Sequence, residues 1–125
     1  MTLFKNFEEI IAWKKARMLT KEIYLISNSG KFDKDFSLKD QIRRSLVSIT
    51  ANIAEGYDRR GDKEFIRFLN ISKGSLAEVK SHLFVAFDVG YINDQVLKEI
   101  ISLVDEIGKL ISVLIKYLKE SRTKE

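Results

Sequence analysis

Lys14, Lys15, Arg17 and Lys21, then Arg43 and Arg44, then Arg59, Arg60, Lys63 and Arg67 form three basic groups in the first half of the chain. Residues 1–67 hold fourteen Lys and Arg against ten Asp and Glu, and residues 68–125 hold eight of each, so the net charge of +4 lies wholly in the first half. Lysine and arginine clustered in this way suit phosphate contacts, whose affinity comes from counterion release and falls with salt. Asp58, Asp62 and Glu64 interleave the last group, which equally fits a solvated face.

Catalytic chemistry has fewer candidates. The one histidine, His82, stands four residues after Glu78, whereas di-iron helical bundles need two Glu-x-x-His pairs. Its position on the far side of its helix from much of the apolar stripe is that of a surface residue. With no cysteine there is no thiolate nucleophile, disulfide or zinc site, and a reducing, cytoplasmic location is expected. Asp105 and Glu106 are adjacent and diverge on a helix, and no glycine-rich phosphate loop or nucleophile elbow occurs. The expectation is a non-enzyme with no catalytic residue, metal or cofactor.

The elements that carry these residues follow from composition. No proline occurs in 125 residues, of which 45% are hydrophobic and 32% charged. Ordinary chains carry about 5% proline, which helix interiors exclude, so the chain reads as all-α and as one domain over residues 1–125. Residues 1–9 lack the basic start and apolar run of a signal peptide, and no apolar stretch is long enough for a membrane span.

Glycines divide the chain into four predicted helices. The first runs over Phe7–Ser27 behind Asn6 as N-cap, with Glu9 completing a capping box and Ala12, Ala16, Leu19, Ile23 and Ile26 on one face. Phe32 and Phe36, in the connection, are expected to lie across the end of the bundle. The second helix starts at Ser37 with Asp40 and ends at Gly56; Leu38, Ile42, Leu46, Ile49 and Ile53 form its apolar stripe. Beside it Gln41, Ser45, Ser48, Asn52 and Glu55 form a row of small and polar side chains, which implies a close-packed neighbour. Asp62 caps the third helix, and Gly74 within it predicts close helix approach. Asn93 opens the fourth, with a heptad of Ile100, Val104, Ile107, Ile111, Leu114 and Leu118. Leu97, Ile101, Leu103, Leu110, Val113 and Ile115 widen that stripe beyond the needs of a monomer, which predicts self-association. Matched lengths and short links predict an antiparallel up-down-up-down four-helix bundle with a frayed charged tail at 119–125.

The segment from Gln41 to Ile92 resembles the 23S ribosomal RNA intervening-sequence proteins. The family's pattern is matched at Gln41 to Arg44, Ser48–Ile49, Asn52 to Gly56, Arg59 or Arg60, Phe65 to Leu69 and Gly74 to Glu78, and more sparsely over Phe7 to Ala16 with Trp13. Thr50 and Ala51 stand where small residues or proline are common in the family. The resemblance implies a bacterial four-helix bundle assembling as a ring-shaped homopentamer. Proteins of similar fold accompany the reverse transcriptases of diversity-generating retroelements, as basic accessories that contact nucleic acid and the enzyme. RNA or another nucleic acid is thus one expected partner, beside the chain itself. The alternative is a scaffold that recruits a partner enzyme without binding nucleic acid. Within the motif, Asn52, Glu55, Gly56, Gly74, Ser75 and Glu78 fit packing between the second and third helices, with Asn52 satisfying backbone groups near the turn and Glu55 and Glu78 pairing with Arg43 or Arg44. Arg59 and Arg60, on an exposed turn, are the stronger candidates for binding.

Overall fold

The computed structural model describes residues 3–124. A 3-10 turn, Phe7–Glu9, precedes five helices: α1 (Ile11–Ser27), α2 (Gly30–Lys34), α3 (Phe36–Asp58), α4 (Asp62–Asp88) and α5 (Asp94–Lys124). The four long ones pack in the cyclic order α1, α3, α4, α5, each against the two beside it. Their shared core holds the predicted stripes, with Leu19, Ile23, Ile42, Leu46, Ile49, Ile53, Leu69, Val79, Leu83, Ile107 and Ile111 fully buried. Burial at about 1.5–3 kcal/mol per large side chain is the main force holding them. None of the described helices is long and apolar enough to cross a membrane.

α3 and α4 run antiparallel along a seam of small residues. Ser72 Oγ donates to the Ile49 carbonyl at 2.9 Å, Ser75 Oγ to Ser48 Oγ at 2.8 Å, and Ser45 Oγ to Glu78 Oε2 at 3.0 Å. Farther along, Gly56 faces Phe65 and Phe68 so closely that an added Cβ would lie 2.6 Å from the Phe68 Cβ. Of the predicted polar row, Ser45 and Ser48 lie on the line where the two backbones approach, whereas Gln41 and Glu55 are exposed.

Several boundaries differ from the sequence reading. Asn6 makes no side-chain cap, Glu9 accepts from the Lys5 amide at 2.9 Å rather than closing a capping box, and α1 starts only at Ile11. The connection after α1 forms the short helix α2, which buries Phe32, whereas Phe36 is 75% exposed. Asp35, not Ser37, caps α3, and Gly56 lies inside it because the chain continues helically to Asp58. Gly61 is the N-cap of α4, with Asp62 in its first turn. Gly74 brings no helix close, since an added Cβ would meet nothing within 4 Å. On α5, Leu97 and Ile115 turn into the core and Ile101, Leu103 and Leu110 pack half-buried against it, which leaves Val113 as the exposed member of the widened stripe. The charged tail continues α5 helically to Lys124; Glu125, like Met1 and Thr2 of the opening segment, lies outside the described residues.

Two glycines offer a direct test of the seam. Gly56→Ala should cost about 1–3 kcal/mol through overpacking against Phe68, whereas Gly74→Ala should gain up to about 1 kcal/mol of helix propensity. Urea melts measure both, and a Gly56→Ala chain as stable as the parent would refute the close approach.

The cap at Asp35 predicts a pH response. One carboxylate oxygen accepts from the Leu38 amide at 3.1 Å and the other from the Tyr91 hydroxyl at 2.8 Å. These bonds, the amide first, hold the carboxyl below its ordinary value of 3.8, and the same contact raises the Tyr91 phenol. A depressed carboxylate stabilises the fold above its unfolded pKa and loses that contribution as pH falls through the folded value. Asp35→Asn keeps a cap oxygen but does not titrate, so its stability should decline less steeply than the parent's between about pH 5 and pH 2. Parallel acid profiles would exclude Asp35 as a source of acid sensitivity.

Candidate nucleic-acid interface

The end of the bundle that carries the α3–α4 turn also holds the start of α1, and aromatic contacts fix that arrangement. The Tyr57 hydroxyl donates to the Phe4 carbonyl at 2.6 Å, its ring meets those of Phe4 and Phe65 edge-on, and Phe7 packs edge-on against Trp13 at 5.1 Å. Lys14 and Arg17 therefore share one end of the molecule with Arg59, Arg60, Lys63 and Arg67.

Within this set the side chains differ in how they are held. Arg59 and Arg67 both lie over the ring of Phe68, with guanidinium carbons 5.1 and 4.5 Å from its centroid. Each also pairs with a carboxylate on its own helix, Arg59 with Glu55 at 2.9 Å and Arg67 with Glu64 at 2.8 Å. Hydrogen bonding to Arg67 lowers the Glu64 pKa, and the same bond raises that of Arg67. Such pairs are fixed in direction yet remain about half exposed, and at the surface contribute little to stability. Arg17 lies 5.6 Å from the Trp13 ring centroid. Lys14, Arg60 and Lys63 are exposed and, among the described residues, form no ion pair.

Arg60 has a further distinction. Its φ of +58° places it in the left-handed region just after the C-cap of α3, where glycine is usual and a side chain carries strain. The turn thereby projects an arginine from a position that rarely bears one.

The other predicted basic residues are placed elsewhere. Arg43 lies about 24 Å back along α3 from Arg59. There it donates to Ser27 Oγ, the Tyr24 carbonyl and Asn28 Oδ1 at 3.0, 3.2 and 2.8 Å, which satisfies the C-terminal end of α1. Arg44 pairs with Asp40 at 2.9 Å, and Lys15 with Glu106 of α5 at 3.0 Å. The predicted pairing of Glu55 and Glu78 with Arg43 or Arg44 does not form, because Glu55 meets Arg59 and Glu78 accepts from Ser45. Asn52 bonds the Ser48 carbonyl and hydroxyl one turn back rather than groups near the turn. Gly56 and Ser75 line the seam, whereas Gly74 faces open space. His82 is half-buried on α4, and among the described residues no three His, Cys, Asp or Glu side chains gather as a metal site.

One surface escaped the sequence reading. Ile11, Met18 and Leu25 are 55, 53 and 63% exposed along the outside of α1, and their seven-residue spacing was the available signal. The Lys15–Glu106 pair sets the register of antiparallel α1 and α5, so Ile11 lies level with Leu110, Met18 with Leu103 and Leu25 with Val96. An apolar face thus spans two helices around one ion pair.

Residues 8–113 match the model of a family described as 23S rRNA-intervening sequence protein. The crystal structure of a protein of unknown function from the S23 ribosomal protein family, from Bacteroides thetaiotaomicron, is similar with a TM-score of 0.78. The two are 29% identical, over 85% of this chain and 96% of that one. No curated protein matches the chain.

Proposed function

The chain belongs to the 23S rRNA-intervening sequence protein family, and on that premise we propose that it is a non-enzymatic, self-assembling cytoplasmic bundle protein that binds RNA or another nucleic acid. The observation that carries the binding reading is the gathering of Lys14, Arg17, Arg59, Arg60, Lys63 and Arg67 at one end, with Lys14, Arg60 and Lys63 in no ion pair among the described residues. Arg59 and Arg67, braced on Phe68, supply directed donors, and the flexible lysines supply charge to phosphates.

Self-assembly rests on the α1–α5 face. Ile11, Met18 and Leu25 expose apolar area to water, and the centrally placed Lys15–Glu106 pair leaves the face nearly neutral, as suits contact with a second copy. A ring of about five subunits is the arrangement the family resemblance implies.

Removing charge from the turn tests binding. Arg60→Gly combined with Lys63→Ala takes away two cations, and glycine suits the left-handed position, so thermal stability should not fall. Affinity for a labelled single-stranded RNA should drop, and the slope of log K against log salt should flatten by about 1.4, at roughly 0.7 per phosphate contact. Unchanged affinity and slope would reject the turn as the binding surface.

Assembly is tested on α1. Met18→Glu places a charge on the exposed stripe without entering the core, whereas a charge at Leu103 or Leu110 would also damage subunit packing. Light scattering after size exclusion should show an oligomer for the parent and a shift to monomer for the variant. A monomeric parent at tens of micromolar would defeat the reading, as would an unaltered oligomer in Met18→Glu.

A further inference from the structure

On the side of the bundle next to the α1–α5 face, α4 and α5 leave an open groove of about 700 Å³ between them. The groove exists because residues where the helices meet are short. Ala77, Gly108 and Ser112 leave room above Leu76 and Val104, whose side chains form an apolar floor. Lys73, Lys80 and Lys109 stand along the rim, opposed only by Asp105, which pairs with Lys80 at 2.8 Å. The same pair fixes the antiparallel register, so Ala77 lies level with Gly108 and Phe84 with Ile101. Val113, at one end of the lining, is 67% exposed, and Phe84, one turn beyond Lys80, is 45% exposed, so apolar surface continues past the depression at that end. From Lys73 to Lys80 on α4 and from Val104 to Val113 on α5 the groove runs about 10–14 Å, or two to two and a half helical turns.

We propose that this groove docks an acidic amphipathic helix of a partner protein, its apolar side chains on the floor and its carboxylates against the lysines. Two helices with a depressed seam receive a third helix through anchors spaced i, i+3 or i+4, and i+7. The rim selects the sign of charge beside those anchors, because Lys73 and Lys109 have no acidic partner among the described residues. A second copy of this chain is the wrong occupant. Groove against groove would set the lysines on their own equivalents. Nucleic acid fits poorly as well, since the floor is aliphatic and offers no exposed aromatic ring for a base at its centre. This surface is distinct from the basic α3–α4 turn, so the two activities separate by mutation.

The probe is a fluorescein-labelled synthetic helix of about 18 residues with leucines at the anchor spacing and glutamates flanking them, beside a twin with lysines in place of the glutamates. Fluorescence anisotropy with the full chain should give saturable binding of the glutamate helix in the micromolar range, and binding of the lysine twin at least about tenfold weaker. Lys73→Glu with Lys109→Glu should invert that preference, and Ala77→Trp, on an exposed position, should abolish binding by filling the groove. Both variants alter exposed side chains, and matching circular dichroism confirms their fold. Equal affinity for the two helices, no saturation below about 1 mM, or full binding to Ala77→Trp would overturn the proposal. Displacement of the probe from the groove by single-stranded RNA would overturn it too, in favour of nucleic acid.

Discussion

The closest approach in the molecule is that of α3 to α4, and the positions of the other helices depend on it. At Gly56 there is no room for even a methyl group, and four serines let the two backbones run side by side while their hydroxyls find partners across or along the seam. A buried hydroxyl without a partner would cost about 1–3 kcal/mol, so this close contact stands only because each hydroxyl is satisfied. With α3 and α4 drawn together, their larger side chains turn toward the opposite side, where α1 and α5 complete the core.

That constraint also organises the functional end. Phe68, pressed on Gly56, carries both Arg59 and Arg67 over its ring. The short turn between the helices then has little freedom, and Arg60 occupies a left-handed position as a result. A packing requirement thus places guanidinium groups at the tip of the bundle, and the Tyr57–Phe4 contact adds the basic start of α1.

Much of the fold was legible because burial imposes the 3.6-residue period on long helices, and every member of the fourth predicted heptad is buried. Helix ends were less legible, since the choice of Asp35 over Ser37 as cap depends on Tyr91, fifty-six residues away. Glycines were ambiguous for a similar reason. Gly56 and Gly74 look alike in sequence, and only the helix facing each one decides which is tight and which is free. Among the basic residues, the shared sign of charge made Arg43 and Arg44 candidates beside those of the turn, but the length of α3 separates them, and the end of α1 supplies acceptors to Arg43. The α1 stripe was not legible because three exposed apolar residues one heptad apart carry no burial signal that sets them off from scattered surface residues.

The order of contacts along the chain has a consequence in time. α3 and α4 are joined by three residues, Arg59 to Gly61, so their pairing closes a minimal loop, whereas α1 and α5 meet across most of the chain. Loop-closure entropy makes the first contact early and the second late. The face built jointly by α1 and α5 therefore comes into being only when the last helix docks. Association through it would act as a quality control intrinsic to the topology, admitting completed subunits and leaving half-folded chains unpaired.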